Sequence, residues 1–150
     1  MSADPTPASR LIPHTSHLIT SSRVASPPPR PLLIYDGECD FCCRCVARFR
    51  RRTGERVDFA PLQDAALAQR FPEVPRAACE EAVHYIEPDG RVTRGAEASF
   101  LALASCGGVL RWPLRVYGSC RPAAAIAECG YRFIARHRMF FSKWTRWILK

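Results

Sequence analysis

Four of the eight cysteines in this chain of 150 residues lie within seven positions, at Cys39, Cys42, Cys43 and Cys45. A thiolate is both a nucleophile toward disulfides and a ligand for soft metal ions. Cys39 and Cys42 have the C-x-x-C spacing, which lets two sulfurs meet without backbone movement. The residue types and their spacing therefore allow either dithiol–disulfide exchange or metal binding.

The elements around the cysteines favour exchange. Residues 32–36, LLIYD, are typical of a short strand, and Gly37 permits a turn after it. From Asp40 onward, apolar residues recur at three- and four-residue steps, which predicts a helix. Free backbone N–H groups and the dipole at a helix start stabilise a thiolate. We therefore predict that Cys39, exposed just before the helix, attacks a disulfide and that the more buried Cys42 resolves the mixed disulfide.

The remaining pattern predicts one α/β domain. Alternating residues predict a strand over 56–62 and a hairpin over 82–95, and helical patterns cover 63–71 and 96–106. A loop that contains Pro72 and Pro75 is predicted after residue 71. The resulting order, β-α-β-α-β-β-α, combines a βαβ unit with a ββα unit. It predicts a thioredoxin-like mixed sheet flanked by helices, with an added C-terminal helical segment. Breaks in that last segment are expected near Gly118, Pro122 and Gly130.

Composition divides the chain into three parts. Residues 1–30 are rich in Ser, Thr and Pro and show no sustained period, which predicts a disordered tail. Residues 31–138 form the thioredoxin-like domain, and residues 139–150 are predicted to form a basic, aromatic helix. The chain lacks a secretory apolar run, so we expect a reducing compartment, the cytoplasm. The alternative is organelle targeting, because the first 30 residues contain Arg and almost no acid.

Other interpretations of the cysteines remain open. A zinc site needs a second ligand pair at regular spacing, whereas the remaining cysteines are dispersed, at Cys79, Cys106, Cys120 and Cys129. A non-catalytic, thiol-rich module that binds zinc is the alternative function. An iron–sulfur cluster is disfavoured because Phe49 and Arg50 occupy the positions of the expected Cys-Pro. Simple packing suits Cys43 and Cys45, and regulatory oxidation without catalysis also remains. We expect neither a metal nor an organic cofactor.

The motif also carries a family resemblance. The stretch YDGECDFC resembles the signature of the DCC family of thiol-disulfide oxidoreductases, and its D-x-x-C-x-x-C motif corresponds here to Asp36, Cys39 and Cys42. The stretches VDFAPLQ, PDGRVTRGAEASFLAL and GYRFIARHR follow in the family's order, so the resemblance covers about residues 32–138. It implies a thioredoxin-like fold and a disulfide reductase or oxidase. Its partners would be a disulfide-containing protein or a small thiol substrate, and an unidentified electron donor.

Two features depart from the thioredoxin pattern. Thioredoxins carry a cis-proline before the third strand, facing the active disulfide and helping to hold the substrate chain. Here the four residues before Val83 are Cys-Glu-Glu-Ala, so we expect substrate docking to differ or to be weak. The carboxylate of Asp40 beside Cys39 opposes thiolate formation, while the helix terminus favours it.

Asp36 is the third candidate site residue, with two compatible roles. As a buried carboxylate it would accept the proton of Cys42 when that thiol attacks. As a turn residue it would accept hydrogen bonds from backbone N–H groups between the strand and the helix.

The excess charge lies in the C-terminal part of the chain. Residues 111–150 hold nine Lys or Arg and one Glu, and the whole chain has a net charge of +8. Aromatic residues alternate with these bases. We favour aromatics that cover the domain core, and the alternative is peripheral contact of the last dozen residues with an anionic membrane. Nucleic-acid binding is not expected, because no binding motif accompanies the charge.

Overall fold

A computed structural model of the protein describes residues 22–107, 111–138 and 140–141. Within these ranges a five-stranded sheet carries helices on its faces. The strands are β1 (Ser22–Arg23), β2 (Leu32–Tyr35), β3 (Asp58–Pro61), β4 (His84–Ile86) and β5 (Arg91–Arg94). The helices are α1 (Asp40–Thr53), α2 (Ala65–Arg70), α3 (Arg76–Glu81), α4 (Gly95–Ala104), α5 (Trp112–Ser119) and α6 (Arg121–Arg136). A 3₁₀ turn, Gly54–Arg56, follows α1.

The sheet is mixed, with the order β1-β5-β4-β2-β3. β2 and β3 are parallel and α1 forms the crossover between them, whereas the other three strand pairs are antiparallel. β4 and β5 form the predicted hairpin, in which Gly90 has a positive φ of 88°. The predicted α/β thioredoxin-like fold is confirmed, and it places the start of α1 shortly after β2, an interior strand of the sheet.

Side chains on both faces of β2 are buried. Leu32 and Ile34 point into one cluster, which also contains Phe71 after α2 and Cys79 of α3. Leu33 points into a second cluster on the other face, together with residues of α1 and α4. A strand that is buried on both faces has apolar residues at consecutive positions, which explains the LLIY sequence. The strand that precedes the cysteine motif is therefore packed on both faces.

The N-terminal boundary differs from the prediction. β1 pairs with β5, and the next residue, Val24, lies in the first cluster with 6% of its surface exposed. The Val24 amide also donates to the Gly90 carbonyl at 2.9 Å. The prediction of a disordered tail through residue 30 is therefore wrong for residues 22–30, because a two-residue strand is too short to show a period. Residues 1–21 lie outside the described part of the chain.

Two helices also differ from the prediction. α3 lies within the segment predicted as a proline-containing loop, and Pro75 precedes its first residue. α6 continues through Gly130, where a break was expected. A break does separate α5 from α6 at Cys120, between the expected positions Gly118 and Pro122. Of the predicted helix 139–150, only Phe140 and Phe141 lie within the described residues.

Candidate active site

Cys39 is the N-cap residue of α1, which begins at Asp40 as predicted. The Cys39 sulfur accepts a hydrogen bond from the Cys42 backbone N–H at 3.3 Å. The Cys39 carbonyl accepts the Cys43 N–H at 2.9 Å and so begins the helical hydrogen-bond pattern. An N-cap side chain receives the free N–H groups of the first turn and lies at the positive end of the helix dipole. The sulfur is therefore held where negative charge is stabilised.

The Cys42 thiol lies one turn further and is half-buried, close to the Cys39 sulfur. Burial raises the pKa of Cys42 far above its usual value, and Cys39 raises it further. The Arg138 guanidinium lies near the Cys42 sulfur and lowers its pKa. The sequence predicted an exposed Cys39 and a more buried Cys42, but both residues are half-buried.

The turn between β2 and α1 is organised by Asp36. Its Oδ1 accepts from the Glu38 N–H at 3.0 Å and from Gln63 Nε2 at 3.0 Å. The Gln63 Oε1 in turn accepts the Gly37 N–H at 3.0 Å. A Cβ added to Gly37 would lie 2.8 Å from that oxygen and 2.9 Å from the Pro61 Cβ. These contacts require glycine and fix the backbone that leads into Cys39.

Arg138 lies beyond the end of α6 and contacts this turn. Its Nη1 lies 3.4 Å from Asp36 Oδ2, in an ion pair whose side chains are 28% and 22% exposed. Its Nη2 donates to the Glu80 carbonyl at 2.9 Å, and its Nε donates to the Ala135 carbonyl at 2.9 Å. These bonds orient the guanidinium beside the Cys42 sulfur, so that a cation from the C-terminal part belongs to the site.

Tyr131 of α6 lies on the same side of the site. Its hydroxyl accepts the Val83 N–H at 3.0 Å. Burial raises the pKa of Tyr131 to about 12, and the nearby Cys42 contributes to the increase. The hydroxyl is therefore neutral at physiological pH and serves as a hydrogen-bonding group.

The other cysteines are placed differently from the C-x-x-C pair. The Cys43 thiol donates to the Gly37 carbonyl at 3.2 Å, and burial raises the pKa of both Cys43 and Cys45. Cys79 lies in the core, where burial raises its pKa to about 11. All eight cysteines are free thiols in this structure, so the geometry described above is that of the dithiol form.

An aromatic cluster lies next to the thiol pair. The ring of Phe41, which stands between the two cysteines in sequence, is 6.2 Å from the ring of Phe141. Phe141 also contacts Phe133 and Phe140, which are 57% and 67% exposed. The expectation that the C-terminal aromatics cover the core does not hold for these two side chains. The remaining aromatics of that segment, Trp144 and Trp147, lie outside the described residues.

Two further observations concern ligands and membranes. Among the described residues, no group of three or more His, Cys, Asp or Glu side chains is arranged to hold a metal ion. No helix in the described part of the chain is long and apolar enough to cross a membrane.

The site combines predicted residues with three that sequence reasoning missed. The predicted site residues Asp36, Cys39 and Cys42 lie together between the end of β2 and the first turn of α1. Gln63, Tyr131 and Arg138 were not identified as site residues. Gln63 had a usable signal, because it follows a predicted strand, and neighbouring parallel strands end at the same edge of a sheet. Tyr131 and Arg138 occur in the GYRFIARHR stretch, but no local pattern shows which segment they contact.

Comparison with known proteins agrees with this geometry. A family model described as DCC1-like thiol-disulfide oxidoreductase matches residues 33–145. This range includes the cysteine motif, Gln63, Tyr131 and Arg138. No curated protein and no solved structure matches the chain.

Proposed function

Because the chain belongs to the DCC1-like thiol-disulfide oxidoreductase family, we propose that it is an enzyme that exchanges its Cys39–Cys42 dithiol with disulfides. The observation that carries the proposal is the 3.3 Å hydrogen bond from the Cys42 N–H to the Cys39 sulfur. A backbone donor at a helix start stabilises a thiolate without needing a charged partner. Cys39 is therefore the attacking group.

The reaction has two exchange steps. In the first, the Cys39 thiolate attacks one sulfur of the substrate disulfide, the substrate S–S bond breaks, and one substrate thiolate leaves. In the second, the Cys42 thiolate attacks the Cys39 sulfur of the mixed disulfide and releases the second substrate thiolate. Two electrons pass from the cysteine pair to the substrate, and the pair becomes a disulfide. An external thiol or dithiol must then reduce that disulfide to restore the starting state.

The surroundings of Cys42 suit the second step. In the dithiol state, burial and the Cys39 sulfur both raise the pKa of Cys42, so Cys42 keeps its proton. Once Cys39 is part of a mixed disulfide, its sulfur carries no charge and no longer raises that pKa. Arg138 remains in place and still favours the Cys42 thiolate. The proton thus leaves Cys42 more easily when its attack is required.

For Asp36 we propose a positioning role. Its carboxylate is already bonded to the Glu38 amide, to Gln63 and to Arg138. Through these bonds it fixes the turn before Cys39 and orients the cation beside Cys42. The other predicted role, accepting the proton of Cys42, stays a prediction.

The test is to trap the intermediate. Cys42→Ser is expected to react with a disulfide substrate and to stop as a mixed disulfide through Cys39, because the second step lacks its nucleophile. Cys39→Ser is expected to form no adduct at this motif and to reduce no substrate. Cys45→Ser serves as the matched control and should keep most of the activity. Non-reducing gels and mass spectrometry identify the attached cysteine, and an adduct through Cys45 or turnover by Cys39→Ser would contradict the proposal.

A metal assay addresses the alternative function. The thiol-exchange proposal expects eight titratable thiols in the reduced, denatured protein and less than one zinc per chain in the native protein. Stoichiometric zinc that protects Cys39 and Cys42 from alkylation would favour a zinc-binding module instead.

A further inference from the structure

Residues 80–83, which are the last two residues of α3 and the two residues before β4, lie beside the site. Arg138 contacts both the Glu80 carbonyl and the Cys42 sulfur. The Tyr131 hydroxyl accepts the Val83 N–H at 3.0 Å, and the nearby Cys42 contributes to the raised pKa of Tyr131. Because Arg138 also pairs with Asp36, residues 80–83 border the site, and their backbone is the candidate for docking an extended polypeptide.

The main-chain groups at the end of this segment already have partners within the protein. The Val83 N–H donates to the Tyr131 hydroxyl at 3.0 Å, and the Val83 carbonyl accepts the Gly95 N–H at 3.0 Å. The Ala82 N–H donates to the Ala78 carbonyl at 3.2 Å. The backbone N–H groups of Ala82 and Val83 thus both donate to acceptors within the protein.

Two carbonyls of the same stretch, those of Glu80 and Ala82, also accept hydrogen bonds from side chains. The Ala82 carbonyl accepts from His84 Nδ1 at 3.0 Å. Burial lowers the pKa of His84, so that this ring stays neutral. The Glu80 carbonyl accepts from Arg138 at 2.9 Å. Two of the partners of the segment, Tyr131 and Arg138, come from α6 and the residues that follow it.

Binding of an extended peptide by strand addition requires unpaired N–H and C=O groups on the receiving backbone. Breaking an internal hydrogen bond to free such a group leaves a half-buried polar group without a partner. A small disulfide needs only access to the Cys39 sulfur and no backbone pairing. The two substrate classes therefore make different demands on residues 82 and 83.

We propose that the thiol pair acts on low-molecular-weight disulfides and not on disulfides in polypeptide strands docked by main-chain pairing. The proposal rests on the proposed function and adds its substrate class. Tyr131 is the residue whose hydroxyl occupies the Val83 N–H, so this donor does not pair with a substrate strand. The electron balance is that of the two exchange steps, with the small disulfide as oxidant and an external thiol as reductant.

The first experiment compares hydroxyethyl disulfide with insulin, using dithiothreitol as the reductant and subtracting the uncatalysed rate. We expect kcat/KM for hydroxyethyl disulfide to exceed that for insulin by at least tenfold. Equal values would overturn the inference and leave the proposed function intact. Reduction of neither substrate would overturn the proposed function itself.

A variant tests the role assigned to Tyr131. Tyr131→Phe removes only the hydroxyl and exposes the Val83 N–H, so the ratio of insulin to hydroxyethyl disulfide activity should rise severalfold. Tyr117→Phe is the matched control, since it removes a hydroxyl bonded to Glu128 and not to residues 80–83. It should keep the wild-type ratio. An unchanged ratio in Tyr131→Phe, or an equal rise in Tyr117→Phe, would overturn the proposed role.

A third measurement uses the wild-type protein and does not depend on any variant folding. Two peptide disulfides of one sequence are compared, one of them N-methylated on the residues flanking cysteine. N-methylation removes main-chain donors, so strand addition would be weakened by it. We expect equal kcat/KM for the two peptides within twofold, and a tenfold loss on methylation would overturn the inference.

Discussion

The Cys42 thiol has two neighbours with opposite effects on its pKa. Cys39 raises that pKa, and Arg138 lowers it. Only the effect of Cys39 disappears when the mixed disulfide forms, because its sulfur then carries no charge. The contribution of Arg138 does not depend on the reaction state. At the scale of single residues, the timing of the second step therefore depends on keeping the guanidinium in place.

Arg138→Gln should slow the reaction of Cys42 with a small alkylating agent, measured in the Cys39→Ser background. Loss of the cation raises the pKa of Cys42, and the thiolate is the reactive form. A rise of one pKa unit would slow the reaction about tenfold at a fixed pH below the pKa. The alkylation rate of Cys42 in Arg138→Lys should lie between the rates with arginine and with glutamine at position 138, because an ammonium keeps the charge but loses the forked geometry.

Arg136→Gln is the control for this measurement, since it removes the same charge from an exposed position two residues earlier. Peptide mass spectrometry assigns the alkylation to Cys42. Equal slowing in both variants would mean that general charge, and not the contact with Cys42, is responsible.

At the scale of elements, the turn into α1 depends on the ends of two parallel strands. Asp36 is the first residue after β2, and Gln63 lies two residues after the end of β3. Gln63 Nε2 donates to Asp36 Oδ1 at 3.0 Å. Both strands were predicted, β2 from its apolar run and β3 from alternation, so the contact between Asp36 and Gln63 could have been predicted from the sequence. The contact of Arg138 with Asp36 could not, because it spans 102 positions and no local pattern encodes it.

Two glycine substitutions should have opposite effects on stability. Gly37→Ala would place a Cβ within 3 Å of the Pro61 Cβ and of the Gln63 side chain, and such overpacking costs about 1–3 kcal/mol. Gly130→Ala lies inside α6, where an added Cβ meets nothing within 4 Å. It should raise the free energy of unfolding by about 0.5–1 kcal/mol, because alanine favours the helix. Urea unfolding of both variants measures this, and a stabilising Gly37→Ala would contradict the proposed close packing.

The helices that sequence reasoning misjudged show where local patterns fail. α3 has six residues and follows Pro75 without a side-chain cap, so neither period nor capping signalled it. α6 continues through Gly130 because one glycine costs only about 1 kcal/mol relative to alanine. Contacts of α6 with α4 and α5 outweigh that cost. Tertiary packing, absent from any local window, decided both cases.

For the whole molecule, the apolar run of β2, the alternation in β3 and the hairpin signal were enough to predict four strands of the sheet and the position of the site at the end of β2. The outer edge of the sheet was not predicted. β1 has only two residues, and it follows a Ser- and Thr-rich stretch that is typical of disorder. Its pairing with β5, together with the burial of Val24, extends the folded part to Ser22.

Val24→Ala tests this extension. Val24 is 6% exposed and packs in the cluster that contains Phe71 and Ile86. Removing two buried methyl groups should lower the free energy of unfolding by about 1–3 kcal/mol, from lost burial and the cavity left behind. Arg23→Ala is the neighbouring control. Its ion pair with Asp89 has side chains that are 67% and 59% exposed, and exposed pairs contribute about 0–1 kcal/mol. Thermal and urea unfolding distinguish the outcomes, since a tail detached from the domain would make both variants neutral.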